Sequence, residues 1–378
     1  MSKLISIWKK LRIFLKKKRK KIKITLSIAM ILILIIGVFD ISILGQVTDF
    51  FLHPLLGEKN TLQLESVYFG LQDKIESVDY KLFGLQPPTY SRPDMSVPVK
   101  AVMSEQMNLT DLKVFSGMKA LPGEGKWEIL GQSMAQSFIR PDIDRPYAIV
   151  SLVKMNMKKL GLGTEAGTYY PGGTHGVYGP GIVPKSIQAA GSLMAVFNGG
   201  FQEKDGHYGM VVGKKVYVPL KKGIPAIYLY LDGSVQFIDN YVGQAVSKAV
   251  AAIRQNGPYL VDNGVVTSYV EEGPDTWGRT TTNNMYTWRS GLGITRNGNL
   301  IYAVGNSLVP QTLARALVDA GAYKAIQLDI NPPWIKFIVF ENQGNGHYRL
   351  YPLLKSMLGG ERYLYGNNKD FFYVYKKN

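Results

Sequence analysis

The chain has 378 residues, 46% of them hydrophobic, so it is long enough to bury a substantial core in one large domain or two ordinary ones. It contains no cysteine, which excludes disulfides, cysteine-ligated zinc and thiol catalysis; this is ordinary for secreted proteins of bacteria that do not rely on oxidative folding. The formal net charge is +16, but residues 1–23 hold eleven lysines and arginines and no acid. The charge therefore belongs mostly to one tail and does not make the whole protein a nucleic-acid-binding one.

The basic tail is followed by an apolar segment that predicts one transmembrane helix. Residues 24–45 are uncharged apart from Asp40, which would lie near the far interface, where a charge costs less. The cations place residues 1–23 in the cytoplasm, with anionic lipid as the partner of residues 3–23, and everything after residue 45 outside the cell membrane. A cleaved signal peptide is the alternative, although no small-x-small cleavage site follows. A nucleic-acid role for the tail is a weaker alternative, because membrane orientation already accounts for its charge.

The next segment, residues 46–115, predicts a helical stalk or linker. Apolar residues recur at helical spacing between positions 61 and 85, and Pro87-Pro88 ends the pattern. Four regions are therefore predicted: a basic cytoplasmic tail (1–23), a transmembrane helix (24–45), a stalk or linker (46–115) and a globular domain (116–378).

The globular part predicts a strand-rich α+β domain, because short apolar runs alternate with Gly, Asn, Asp and Pro. Helical patterns are fewer, at Gln244–Gln255 and at Pro310–Ala320, where Gly321 supplies the left-handed terminus. The strand-like runs are Tyr147–Val153, Leu193–Phe197, Tyr208–Val212, Val216–Val218, Ala226–Leu231, Val235–Ile238, Gly291–Thr295, Leu300–Val304 and Ala325–Leu328.

Polar side chains stand where two of these strands stop. Asn198 and Gly199 follow Leu193–Phe197, and Asp329 follows Ala325–Leu328. A strand end fixes such side chains while the loop exposes them, so the pattern is typical of sites. The alternative is a pair of simple turns in which Asn and Asp bond their own backbone.

A third candidate is Arg289, at the entry of a strand that is otherwise small and apolar. Its guanidinium is suited to phosphate, and a surface ion pair is the alternative. The four histidines are scattered without ligand spacing, so no metal site is predicted. No cofactor is evident either, and a role for a divalent cation stays open.

Six segments follow one another in a characteristic order: Phe197–Phe201, His207–Val212, Gly257–Gly264, Arg289–Gly298, Leu313–Gly321 and Ala325–Asp329. This ordered set resembles the phosphodiester glycosidase domain of the mannose-6-phosphate uncovering-enzyme family. The resemblance covers about residues 125–345 and implies that fold behind the membrane helix.

The resemblance also implies which residues act. Asn198 corresponds to the asparagine of the family's Asn-Gly-Phe motif, Arg289 to the arginine of Arg-Thr-Ala-Ile-Gly, and Asp329 to the aspartate of Leu-Asp-Gly-Gly-Gly-Ser. This chain departs from the last motif, since Ile-Asn-Pro-Pro-Trp occupies residues 330–334 in place of the glycines.

A sugar-1-phosphodiester leaves a stable phosphate anion, so the reaction needs a cation, hydroxyl ligands and one carboxylate rather than a carboxylate pair. Arg289 is predicted to hold the phosphate and Asp329 to supply the carboxylate. The predicted substrate-binding residues are Asn198, Gly199, His207, Asn331 and Trp334, with His207 also a candidate for proton transfer and Trp334 for stacking on a sugar.

We therefore expect a membrane-anchored extracytoplasmic hydrolase, a glycosidase that cleaves a sugar-1-phosphodiester bond in a cell-envelope or extracellular polysaccharide. Its partners would be a carbohydrate or glycopolymer substrate and the lipid bilayer, with no nucleic acid. The alternative is an envelope protein that binds a polysaccharide without cutting it. The sequence does not specify the sugar, the stereochemistry or the oligomeric state.

Overall fold

The computed structural model describes positions 78, 84, 87, 88 and 90 and residues 106–377, apart from 116–118, 132, 240–248, 279–285, 332–333, 345 and 358–359. All of these belong to one compact unit, Leu62–Asn378. The predicted tail (1–23), the predicted membrane helix (24–45) and most of the predicted linker lie outside the described residues, so the domain boundaries stay predictions. Among the described residues, no helix is both long enough and apolar enough to cross a membrane.

Strands dominate the described part of the chain, which confirms the strand-rich prediction. The first nine are β1 (Glu128–Gly131), β2 (Met134–Ile139), β3 (Val150–Met155), β4 (Leu160–Glu165), β5 (Leu193–Asn198), β6 (Met210–Val212), β7 (Lys215–Val218), β8 (Ala226–Tyr230) and β9 (Val235–Ile238). The later ones are β10 (Val250–Gln255), β11 (Tyr259–Asp262), β12 (Val265–Val266), β13 (Thr287–Ile294), β14 (Leu300–Leu308), β15 (Lys324–Ile330), β16 (Phe337–Gly344), β17 (His347–Pro352) and β18 (Phe371–Lys376).

Helices are short and few by comparison. The α-helices with described bounds are α1 (Lys185–Ala189), α2 (Pro274–Trp277), α3 (Pro310–Asp319) and α4 (Arg362–Tyr365). Short 3₁₀ turns lie at Gly172–His175, Glu203–Asp205 and Ser268–Glu271.

One helix prediction is confirmed and the other is wrong. Helix α3 matches Pro310–Ala320, and Gly321 follows it with φ +92°. The predicted helix Gln244–Gln255 is a strand over its described second half, because β10 pairs with β6 on one side and β8 on the other. Backbone bonds to two neighbours outweigh the helix propensity of its alanines.

The strands form three sheets whose described pairings are all antiparallel. The largest has eight strands in the order β1-β2-β3-β14-β13-β15-β11-β12. One five-stranded sheet has the order β7-β6-β10-β8-β9, and the other has the order β17-β16-β5-β18-β4.

The main core contains side chains of the eight-stranded sheet and of the β17-β16-β5-β18-β4 sheet. Phe197 on β5 is completely buried and stacks on Phe337 and Phe372, with ring centroids 5.8 and 5.3 Å away. The same ring meets Tyr302 of the eight-stranded sheet at 5.1 Å. A second core, which includes Leu313 and Leu317 of α3, packs against other residues of the eight-stranded sheet. These contacts fix the ends of β5, β13 and β15 relative to one another.

A buried ion pair connects the β7-β6-β10-β8-β9 sheet to the start of β18. Arg254 on β10 is 0% exposed, and its Nε donates to Asp370 Oδ2 over 2.9 Å. Its other donors bond the backbone oxygens of Tyr208, Gln255 and Phe201. Asp370 Oδ2 also accepts from the backbone N–H of Gly200. The pair therefore holds the turn that follows β5.

We expect Asp370→Asn to destabilise the fold by roughly 3–5 kcal/mol, because it leaves the Arg254 guanidinium buried without a counter-charge. Urea unfolding measures the loss. The matched control is Asp111→Asn, whose pair with Lys126 has both side chains more than 60% exposed; it should cost less than about 1 kcal/mol. An equal loss of unfolding free energy in the two variants would show that burial of the Arg254–Asp370 pair does not increase the cost of breaking it.

Candidate active site

The candidate site lies where the ends of β5 and β15 meet the start of β18. After Asn198 the chain leaves the β17-β16-β5-β18-β4 sheet, and the backbone of Gly199 forms two hydrogen bonds. Its N–H donates to Asp370 O over 3.0 Å, and its carbonyl accepts from Asp329 N over 3.0 Å. A Cβ at Gly199 would collide with the Asp370 carboxylate, so this junction requires glycine.

The amide of Asn198 is buried and held by hydrogen bonds on both its atoms. Its Oδ1 accepts from the Tyr302 hydroxyl at 2.8 Å and from Lys336 N at 3.3 Å. Its Nδ2 donates to Ser290 Oγ at 3.0 Å, and that hydroxyl donates to Asp329 O at 2.9 Å. Burial raises the pKa of Tyr302 well above its ordinary value, so its hydroxyl stays protonated and donates. Asn198 therefore fixes the geometry around Asp329.

The carboxylate of Asp329 forms an ion pair with Lys369, and the two side chains are each only 7% exposed. The other carboxylate oxygen accepts from Ile330 N at 3.0 Å. Burial raises the pKa of Asp329 to about 6, although the Lys369 ammonium opposes the rise. This carboxylate thus titrates closer to neutrality than an ordinary aspartate does.

Trp334 lies beside this pair. The Lys369 ammonium is 4.5 Å from the centroid of its indole ring, within the range of a cation–π contact. The indole is half-buried, so part of its surface stays open to a ligand.

Asn331 occupies a tight turn between Asp329 and Trp334. Its φ is +75°, and its backbone oxygen accepts from Trp334 N at 3.2 Å. Its side-chain Oδ1 accepts from the Thr287 hydroxyl at 3.2 Å. The neighbouring Pro332 and Pro333 lie outside the described residues.

Arg289 is buried, with only 2% of its surface exposed. It donates to Leu308 O at 2.9 Å, to Trp277 O at 3.1 Å and to Gln327 Oε1 at 2.8 Å. Burial lowers the pKa of the guanidinium to about 10. These bonds give Arg289 a structural task between β13, β14 and α2, and the predicted contact with phosphate stays a prediction.

His207 lies in the loop after β5 and is the most exposed of the predicted site residues, with a side chain 70% accessible. Its Nδ1 pairs with Glu203 Oε1, and His175 Nε2 lies 3.4 Å from the same oxygen. Among the described residues its side chain bonds neither Asn198 nor Asp329. Nor do the described residues contain a group of three or more His, Asp and Glu able to hold a metal ion.

Sequence reasoning missed Lys369, Asp370, Arg254 and Ser290. One signal was available: Lys369 and Asp370 directly precede the apolar run Phe371–Tyr375, and charges next to a buried strand need partners. The identity of those partners needs the tertiary structure, because they lie 40 and 116 residues away along the chain.

Asp329 should make the free energy of unfolding depend on pH. Its pKa is about 6 in the folded state against an ordinary 3.8, so the folded protein binds the proton more tightly. The resulting stabilisation is complete below about pH 4 and is lost as pH rises through 6, by roughly 3 kcal/mol at most. Asp329→Asn removes this term, so its stability relative to wild type should increase from pH 4 to 7 in urea titrations. Parallel curves for the two proteins would contradict the raised pKa.

Comparison with known proteins matches part of the chain to one protein family. The family model described as phosphodiester glycosidase matches residues 191–329, which include Asn198, Arg289 and Asp329. No curated protein matches the chain.

Two solved structures show a distant similarity to this chain. One is the zebrafish N-acetylglucosamine-1-phosphodiester alpha-N-acetylglucosaminidase catalytic domain auto-inhibited by its pro-peptide, with 11% identity and a TM-score of 0.41 over 76% of this chain and 97% of that one. The other is a hypothetical protein from Synechocystis, with 12% identity and a TM-score of 0.36 over 67% of this chain and 64% of that one. The family model, rather than these structures, carries the assignment. It supports a glycosidase-type hydrolase with a carbohydrate-type substrate. The resemblance predicted from the sequence is thereby confirmed over residues 191–329, which match the family model described as phosphodiester glycosidase.

Proposed function

We propose that this protein is a membrane-anchored, extracytoplasmic glycosidase that hydrolyses a sugar-1-phosphodiester bond in a cell-envelope or extracellular polysaccharide. The observation that carries the proposal is the buried Asp329–Lys369 pair beside Trp334. Asp329 is the last residue that the family model matches. Together the pair and Trp334 supply a carboxylate, a cation and an aromatic surface within one cluster.

The reaction breaks the bond between the anomeric carbon and the phosphate oxygen. A water oxygen bonds that carbon, the electron pair of the broken bond leaves on the phosphate, and the proton of the water passes to Asp329. A phosphate monoester needs little protonation to leave, so one carboxylate suffices as the base. A raised pKa improves Asp329 as a base near neutral pH, where most of it is still ionised.

Lys369 is the cation nearest to that carboxylate, and we assign it the incoming phosphate. When the phosphate binds, the ammonium exchanges its bond to Asp329 for a bond to a phosphate oxygen. Asp329 then loses its counter-charge, which increases its affinity for the proton of water. The buried pair is thus the resting arrangement of two groups that separate on substrate binding.

The remaining predicted residues have supporting tasks in this proposal. Trp334 offers an apolar face to the sugar ring, as aromatic side chains do in carbohydrate sites. Asn198 positions Asp329 through Ser290, while Gly199 keeps the backbone close to Asp370. Arg289, predicted to bind phosphate, also holds the backbone of the neighbouring strands, so Arg289→Ala should lose stability as well as any phosphate contact.

The test is turnover of a panel of sugar-1-phosphodiesters, read by release of the free sugar. Asp329→Asn should lower kcat by at least about 10²-fold, the usual contribution of a general base. Lys369→Met should lower kcat/KM, because it removes the phosphate ligand. The control is Asp239→Asn, at an exposed partner of Lys324, which should stay within twofold of wild type. If both site variants unfold cooperatively and still turn over the substrates at the wild-type rate, the assignment is refuted.

The second candidate is an envelope protein that binds a polysaccharide without cutting it. Two observations favour it: Asp329 is 7% exposed, and Ile330 and Asn331 stand where the family motif has glycines. Saturable binding of glycopolymer by a wild-type protein that releases no sugar from any member of the panel would establish this alternative.

The membrane anchor is a separate part of the proposal, supported by the composition of residues 1–45. Deleting residues 24–45 should leave the chain in the cytoplasmic fraction, because the apolar span is removed. In cells that carry the full chain, protease added outside should degrade the folded domain and spare the tail. A full-length chain recovered in the soluble fraction would contradict the anchor.

A further inference from the structure

A cavity lies away from the candidate active site. It is a cavity of about 300 Å³, and four lysines line it: Lys158 and Lys159 from the turn between β3 and β4, and Lys376 and Lys377 from the end of β18. The other described residues of the lining are Ser133 and two apolar side chains, so no described lining residue carries a carboxylate. A volume of this size accommodates a small polar group and its neighbours.

Backbone hydrogen bonds hold the walls of this cavity together. Lys377 N donates to Lys159 O at 3.0 Å, Lys159 N donates to Asn156 O at 3.0 Å, and Asn156 N donates to Ser133 O at 2.9 Å. The Lys377 ammonium is itself fixed by a bond to Met157 O at 3.1 Å. The lysines are thus gathered by the fold rather than scattered on flexible loops.

Among the described residues, none of the four lysines forms an ion pair with a carboxylate. The nearby acid is Asp232, which acts on Lys377 electrostatically but hydrogen-bonds Ser234. Four lysines that line one hollow create a positive potential that favours an anion. Lysine binds phosphate as a point charge, without the fork geometry of arginine.

The cavity and the candidate active site lie at opposite ends of the same two strands. Met194, near the start of β5, lines the cavity, whereas Asn198 ends that strand at the candidate site. Lys376 ends β18, and Asp370 precedes its first residue. At about 3.3 Å per residue, four to six residues separate the two places by roughly 13–20 Å. That distance is longer than one sugar phosphate unit and corresponds to a few repeats of a sugar-phosphate polymer.

We propose that this cavity binds a phosphate group of the substrate, several units away from the bond that is cut. The substrate is then a polymer with repeating phosphodiesters rather than a single capped sugar phosphate. This inference rests on the proposed function and adds the substrate class to it. The cavity contributes to binding of the polymer and leaves the chemical step unchanged.

The test compares two double variants of the full-length protein. Lys158→Gln with Lys376→Gln removes two charges from the cavity, and Lys214→Gln with Lys222→Gln removes two charges from exposed positions elsewhere. Both retain the basic tail, so its attraction for polyanions cancels in the comparison. Three probes are used: an oligomer of sugar-1-phosphate repeats, a synthetic poly(glycerol phosphate), and vesicles with about 30% anionic lipid. A lipid fraction of about this size gives the vesicles a marked negative surface potential.

The cavity variant should bind both polymers about tenfold more weakly, and its kcat/KM for the oligomer should fall by a similar factor through KM. Its kcat/KM for a single sugar-1-phosphodiester should stay within twofold of wild type. Equal weakening in the control variant, or unchanged polymer binding in the cavity variant, would overturn the proposal. So would a loss confined to vesicle binding, since that assigns the cavity to the membrane surface. A wild type that cuts no phosphodiester refutes the proposed function instead, while the binding comparison still decides the role of the cavity.

Discussion

The arrangement of the site depends on two adjacent residues of opposite charge, Lys369 and Asp370. Both are buried and directly precede β18, and each needs a counter-charge because an unpaired ion in a protein interior costs several kcal/mol. Lys369 meets Asp329 at the end of β15, and Asp370 meets Arg254 on β10. One short segment thereby connects strands from all three sheets. Because Asp370 also bonds the Gly199–Gly200 turn, the strand ends cannot shift independently.

This constraint also sets the electrostatic environment of the candidate site. The Asp329–Lys369 pair that joins the sheets is buried, and this burial removes water from Asp329. The loss of water raises the pKa of the Asp329 carboxylate to about 6. The same burial holds the Lys369 ammonium against the Trp334 indole. In the proposed mechanism, this ammonium exchanges its bond to Asp329 for a bond to the phosphate of the substrate.

Much of the architecture follows from local sequence. Alternating apolar runs and turn glycines predict most of the strands, and Gly321 marks the end of α3 because its φ is positive. The strand-end residues Asn198 and Asp329 are likewise visible, and the structure brings them together through Ser290. What the sequence cannot supply is long-range pairing. The alanine-rich segment of β10 has helix propensity, and only pairing with both β6 and β8 makes it a strand. For the same reason Lys369 is not recognisable as the partner of Asp329, nor are the backbone and Gln327 partners of Arg289.

The measurement that tests this account most directly is a crystal structure of the Asp329→Asn variant with an intact sugar-1-phosphodiester. We expect the phosphate within about 3 Å of Lys369 Nζ, with the sugar against Trp334 and the anomeric carbon facing residue 329. A phosphate bound elsewhere, with Lys369 still bonded to residue 329, would contradict the central claim that this pair is the reactive centre.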